Sequence, residues 1–127
     1  MTVFSPNSVI LYVDDVTVST DFYRHALGCD PIETFEDFSV FPLGEGVVLG
    51  LQTRSEIDPK AAGAPGSVEL SMSRATREEV DELYRAWSRK DIPMALDPTE
   101  LDFGYTFVAT DPDGHRLRVC ATDTSNL

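Results

Sequence analysis

Phe107-Val-Ala-Thr-Asp-Pro-Asp-Gly-His-Arg-Leu-Arg-Val119 reads as a strand, a tight turn and a second strand. Asp111, Pro112, Asp113 and Gly114 have the turn propensities this requires, and those propensities account for them without any catalytic role. The hairpin closes the second of two similar halves. Ser8-Val-Ile-Leu-Tyr-Val13 leads into Asp21-Phe22-Tyr23, and about sixty residues later Ser67-Val-Glu-Leu-Ser-Met72 leads into Glu82-Leu83-Tyr84. Each half reads as a strand, an amphipathic helix and further short strands. Two units of this kind predict a paired module with a shared cleft, not a solenoid.

Within the first half the pattern predicts strands at Val9–Val13, Ile32–Glu36, Phe38–Leu43 and Val47–Thr53, with a helix at Thr17–Leu27 ended by Gly28. In the second it predicts strands at Ser67–Met72, Met94–Asp97, Tyr105–Thr110 and His115–Ala121. The intervening helix starts at a capping box of Thr76 and Glu79 and stops before Pro93. Its stripe of Val80, Leu83, Tyr84 and Trp87 is read as core. Residues 54–66, with two prolines and two glycines, read as a mobile linker, and Asp123–Leu127 as a frayed end. The expected organisation is a single domain over 1–127, with module one at about 7–53 and module two at about 67–122.

Composition narrows the partners. With 22 acidic and 10 basic residues the formal charge is -12, which repels nucleic acid and would attract cationic small molecules. No apolar run is long enough to span a bilayer, and the first residues carry no export signal, so membrane association is not expected and the cytoplasm is. Cys29 and Cys120 are read as reduced, and His25 and His115 as surface or structural residues.

The repeat, the run Val13-Asp14-Asp15 to Phe22-Tyr23 and the Asp111-Pro-Asp-Gly114 hairpin together resemble the vicinal oxygen chelate superfamily, the group of glyoxalases, extradiol dioxygenases, fosfomycin-resistance enzymes and bleomycin-resistance proteins. The run from Pro98 to Val119 looks like its branch of drug-binding, phenazine-resistance proteins. The resemblance implies an α+β fold of two βαβββ modules whose curled mixed sheets form a cup, and a homodimer. Catalytic members hold a metal through four side chains, two per module. By motif these positions are Ser8, Gly50, Ser67 and Arg118 here, and none is a usual ligand for a divalent ion. A fixed guanidinium would also repel one. No metal, no cofactor and no catalytic residue is therefore expected.

A cup of this kind suits a small molecule. The expected ligand-binding residues are the aromatics Phe38, Phe41, Phe103 and Tyr105 and the polar Gln52, Ser67, Glu69 and Arg118. Arg118 could pair with Glu69 across the empty cup, or clamp a ligand carboxylate. The functional expectation is a metal-free protein that sequesters a planar aromatic or cationic antibiotic, phenazine- or bleomycin-like, and so confers resistance. The alternative is a divergent glyoxalase-type lyase, isomerase or dioxygenase with an unrecognised site.

Overall fold

In a computed structural model, residues 3–122 are described, and the expected frayed end at 123–127 lies outside them. The chain divides between Ala64 and Pro65 into two compact units, a boundary inside the stretch read as a linker. The first unit runs β1 (Ser8–Val13), α1 (Val16–Leu27), β2 (Glu33–Thr34), β3 (Phe38–Gly44) and β4 (Val47–Thr53), then a short 3-10 turn at Arg54–Glu56. The second runs β5 (Glu69–Arg74), α2 (Arg77–Arg89), β6 (Met94–Leu101), β7 (Gly104–Thr110) and β8 (Arg116–Thr122). Each is a βαβββ unit with a four-stranded mixed sheet, ordered β1-β4-β3-β2 in one and β5-β8-β7-β6 in the other. In each, the first and last strands pair in parallel and the remaining neighbours are antiparallel. The α+β expectation holds. Among the described residues no helix is long and apolar enough to cross a membrane.

Local chemistry fixes the helix ends. The Asp15 carboxylate accepts from the amides of Thr17 (2.9 Å) and Val18 (3.2 Å), so α1 starts at Val16, one residue before the expected start. Gly28, at φ 71°, takes the left-handed conformation that closes the helix, and its amide donates to Arg24 O. Thr76 caps α2 by accepting from the Glu79 amide at 3.2 Å. The Glu79 carboxylate, however, accepts from the Thr76 hydroxyl and not from an orphan amide as in a reciprocal capping box.

Strand alternation then sorts each sheet into a helix-facing side and an opposite side. In the first unit Leu11, Val13, Ser39, Phe41, Leu49 and Leu51 are buried with Tyr23 of α1, whose ring lies 6.4 Å from that of Phe41. In the second, Phe107 stands at the centre of the helix side, edge-on to Tyr84 (5.4 Å) and Trp87 (5.6 Å). Burying each such aromatic or aliphatic side chain is worth about 1.5–3 kcal/mol, so these stripes hold each helix on its sheet. Trp87 is core, as its place on the α2 stripe predicts.

One boundary differs in a way that matters for the site. The first strand of the second unit begins at Glu69, not Ser67. The backbone shows why: Val48 N donates to Asn7 O before β1, and the matching bond before β5 runs from Arg116 N to Val68 O. The second unit thus carries two extra residues between the Ser-Val repeat and its helix, and Ser8 corresponds to Glu69.

Candidate functional site

On the first unit's sheet, the side away from α1 is largely apolar. Ile10 pairs in register with Gly50, and Tyr12 and Phe38 flank Gln52. A Cβ at Gly50 would stand 2.5 Å from Ile10 Cδ1 and 2.8 Å from Phe38 Cζ, so these two side chains already fill the space above the glycine. Gln52 donates its amide to Thr53 O at 3.1 Å. Of the expected ligand residues in this unit, Phe38 and Gln52 share this side. Phe41 does not: it is fully buried against α1, because it has the opposite strand parity.

The second unit's sheet has a charged centre on the corresponding side. Arg118, in the interior strand β8, places Nε 3.2 Å from a Glu69 carboxylate oxygen. Its Nη1 donates to the Thr106 hydroxyl at 3.3 Å, and that hydroxyl in turn donates to Val119 O at 2.8 Å. The Phe103 ring stands 5.3 Å from the guanidinium carbon, in cation–π range. The Arg118 side chain keeps only 17% of its surface exposed, against 38% for Glu69. Ser67 and Glu69 also line a recess of about 290 Å³ with Gly66, Val68 and Arg116.

Phe103 and Tyr105, both expected to bind ligand, point to opposite sides. Tyr105 shares strand parity with Phe107 and lies against α2, where its hydroxyl donates to Asp81 at 2.6 Å and the Arg77 guanidinium covers its ring at 4.6 Å. The hydrogen bond to Asp81 is the main cause that raises the Tyr105 pKa above 10.0, with burial and the Asp81 charge adding to it and Arg77 opposing. Tyr84 is raised in the same direction, chiefly by its bond to Asp97. These are helix-to-sheet ties. Thr106, by contrast, belongs with Arg118 and was missed; its signal in sequence is its alternation with Phe107, which leaves it on the far side from α2.

The hairpin is a self-contained turn. The Asp111 carboxylate accepts from the amides of Asp113 (2.9 Å) and His115 (2.8 Å). His115 is buried, and its Nδ1 accepts from Gly66 N–H at 3.3 Å, a structural role. His25 Nδ1 lies 2.7 Å from Asp21 O on α1. Cys29 and Cys120 are free thiols, the latter buried.

The strand correspondence makes Glu69, not Ser67, the counterpart of Ser8, so the four positions implied by the resemblance become Ser8, Gly50, Glu69 and Arg118. The pairings agree: Ser8 opposes Val48 as Glu69 opposes Arg116, and Ile10 opposes Gly50 as Ser71 opposes Arg118. The residues present still do not fit a divalent cation. Gly50 offers no donor and its space is filled, while the one carboxylate is engaged by a guanidinium. Among the described residues no group of three or more His, Cys, Asp or Glu side chains is placed to hold a metal.

Two βαβββ units with four-stranded mixed sheets in one chain define an α+β protein built from a repeated βαβββ module. The chain matches the Glyoxalase/Bleomycin resistance protein/Dioxygenase superfamily over residues 5–119 and belongs to it. It is 33% identical over 122 residues to the phenazine antibiotic resistance protein EhpR of Enterobacter agglomerans, covering 94% of this chain and 93% of that protein. Protein ATC0852 of Agrobacterium tumefaciens, known from a solution structure, is 41% identical, with a TM-score of 0.80 over 95% of this chain and 99% of that one. A glyoxalase/bleomycin resistance protein/dioxygenase from Nocardioides shares the fold at a TM-score of 0.83 and 22% identity, over 98% and 88% of the two chains.

Proposed function

We propose that the Arg118 side of the second unit binds a small planar aromatic antibiotic of the phenazine type, and that the protein confers resistance by sequestering it unchanged. The observation that carries this reading is the guanidinium of Arg118, held by Thr106 and flanked by the Phe103 ring and Glu69. A flat heteroaromatic could stack on Phe103, worth about 0.5–1.5 kcal/mol beyond burial. A hydrogen bond to the charged guanidinium adds about 1.5–3 kcal/mol. The near full-length likeness to a protein named for phenazine resistance supports the same ligand class.

The reading is of a cytoplasmic homodimer that works without a bound metal. Its support on the last point is the donor set: a glycine whose space is filled, a serine, and a carboxylate already engaged by Arg118. Sequestration needs no turnover, so protection should scale with the amount of protein. The test is expression in a phenazine-sensitive host, followed by recovery of the drug. Resistance with chemically intact drug supports sequestration, and accumulation of a modified product overturns it.

A further inference from the structure

We propose that Glu69 is an internal substitute for a ligand carboxylate, which occupies Arg118 until an incoming anion replaces it, so that the site selects planar aromatic carboxylates over cations. This rests on the proposed binding role of the same face and names its ligand class.

Two asymmetries carry the inference. The first is burial: the Arg118 side chain is 17% exposed and that of Glu69 38%. A ligand anion that takes Arg118 returns the more exposed partner to water at little cost. A ligand cation that took Glu69 would strand the less exposed guanidinium without its counter-charge, which is the costly way to break such a pair. The second is anchoring. Arg118 is in an interior strand and is held by the Thr106 hydroxyl, whereas Glu69 is the first residue of β5, an edge strand. The guanidinium is the fixed element and the carboxylate the exchangeable one. A planar carboxylate can engage such a fork through two parallel N–H···O bonds, with its attached ring directed toward Phe103.

The overall charge of -12 disfavours anions at long range. It is screened beyond about 8 Å at physiological salt, so the contact at Arg118 decides the selection.

The experiment compares phenazine-1-carboxylate with phenazine-1-carboxamide on wild type, Glu69→Gln, Glu69→Ala and Arg118→Gln, by calorimetry or fluorescence quenching. Removing the internal competitor should tighten the carboxylate roughly threefold to tenfold and move the carboxamide less than about twofold. Arg118→Gln should abolish the preference for the carboxylate. Equal binding of the two probes by wild type, or unchanged or weaker carboxylate binding by both Glu69 variants, overturns this inference alone. Binding of neither probe by any of the proteins overturns it together with the proposed function.

Discussion

Arg118 and Glu69 meet at 3.2 Å across the parallel pair β5–β8. In the first unit the matching positions are Ser8 and Gly50, and the glycine's space is filled by Ile10 and Phe38. At these positions one unit holds apolar packing, and the other holds a fixed cation with its own counter-charge. A covalently held guanidinium cannot lose its proton or be chelated away. What it can do is hold an anion in a defined orientation.

Arg118→Ala should weaken a carboxylated phenazine by about 1.5–3 kcal/mol, the usual worth of a hydrogen bond to a charged group. Thr106 keeps its bond to Val119 O in this variant, so the fold should survive. Calorimetric titration alongside a thermal melt separates lost binding from lost structure.

Gly50→Ala should destabilise the first unit by about 1 kcal/mol. The nearest atoms that the added methyl meets are the ends of Ile10 and Phe38, which can move, so the change should be a lowered melting temperature with the fold intact. A neutral result in thermal denaturation would mean that Ile10 and Phe38 make room for the methyl without loss of packing.

Asp111→Ala should cost about 1–3 kcal/mol, since the amides of Asp113 and His115 lose their acceptor in a turn anchored by the buried Asp111 and His115. Asp111→Asn, which keeps one carbonyl acceptor, should cost less. Urea denaturation of the two variants checks the order.

Stability should fall at alkaline pH in a manner that depends on Tyr105. Its folded pKa is raised above the ordinary 10.0, so the protonated hydroxyl is favoured in the folded state. That contribution is complete below pH 10 and is lost as pH rises through the folded value. Tyr105→Phe should therefore flatten the loss of stability above pH 10 while lowering stability at pH 8. Urea midpoints at pH 8 and above 10, for both proteins, test this.

Much of the architecture was legible because each signal was local. Gly28 ends α1, Thr76 caps α2, and Asp111-Pro-Asp-Gly114 turns the last hairpin, each through bonds within a few residues. The start of β5 was not legible. Ser67-Val-Glu-Leu-Ser-Met72 alternates from its first residue, and the pairing of Arg116 with Glu69 is a long-range fact that alternation cannot supply. The same limit affected the aromatics. Phe41 and Tyr105 were grouped with Phe38 and Phe103 by residue type, whereas strand parity and the helix contacts to Tyr23 and Asp81 place them on the other side. The Arg118–Glu69 pair was legible as a possibility of charge. Thr106, which anchors it, could have been found by carrying the alternation back from Phe107.

The most direct test of the central claim is a titration of metal-stripped protein with phenazine-1-carboxylate in the presence of EDTA, followed by thermal shift and calorimetry. At a hundredfold excess over Kd, a ligand adds about 2.7 kcal/mol, a shift of several degrees for a domain of this size. The expected result is saturable binding that is unaffected by the chelator and is weakened roughly tenfold to a hundredfold in Arg118→Ala. Binding that appears only after Ni²⁺ or Zn²⁺ is restored would contradict it.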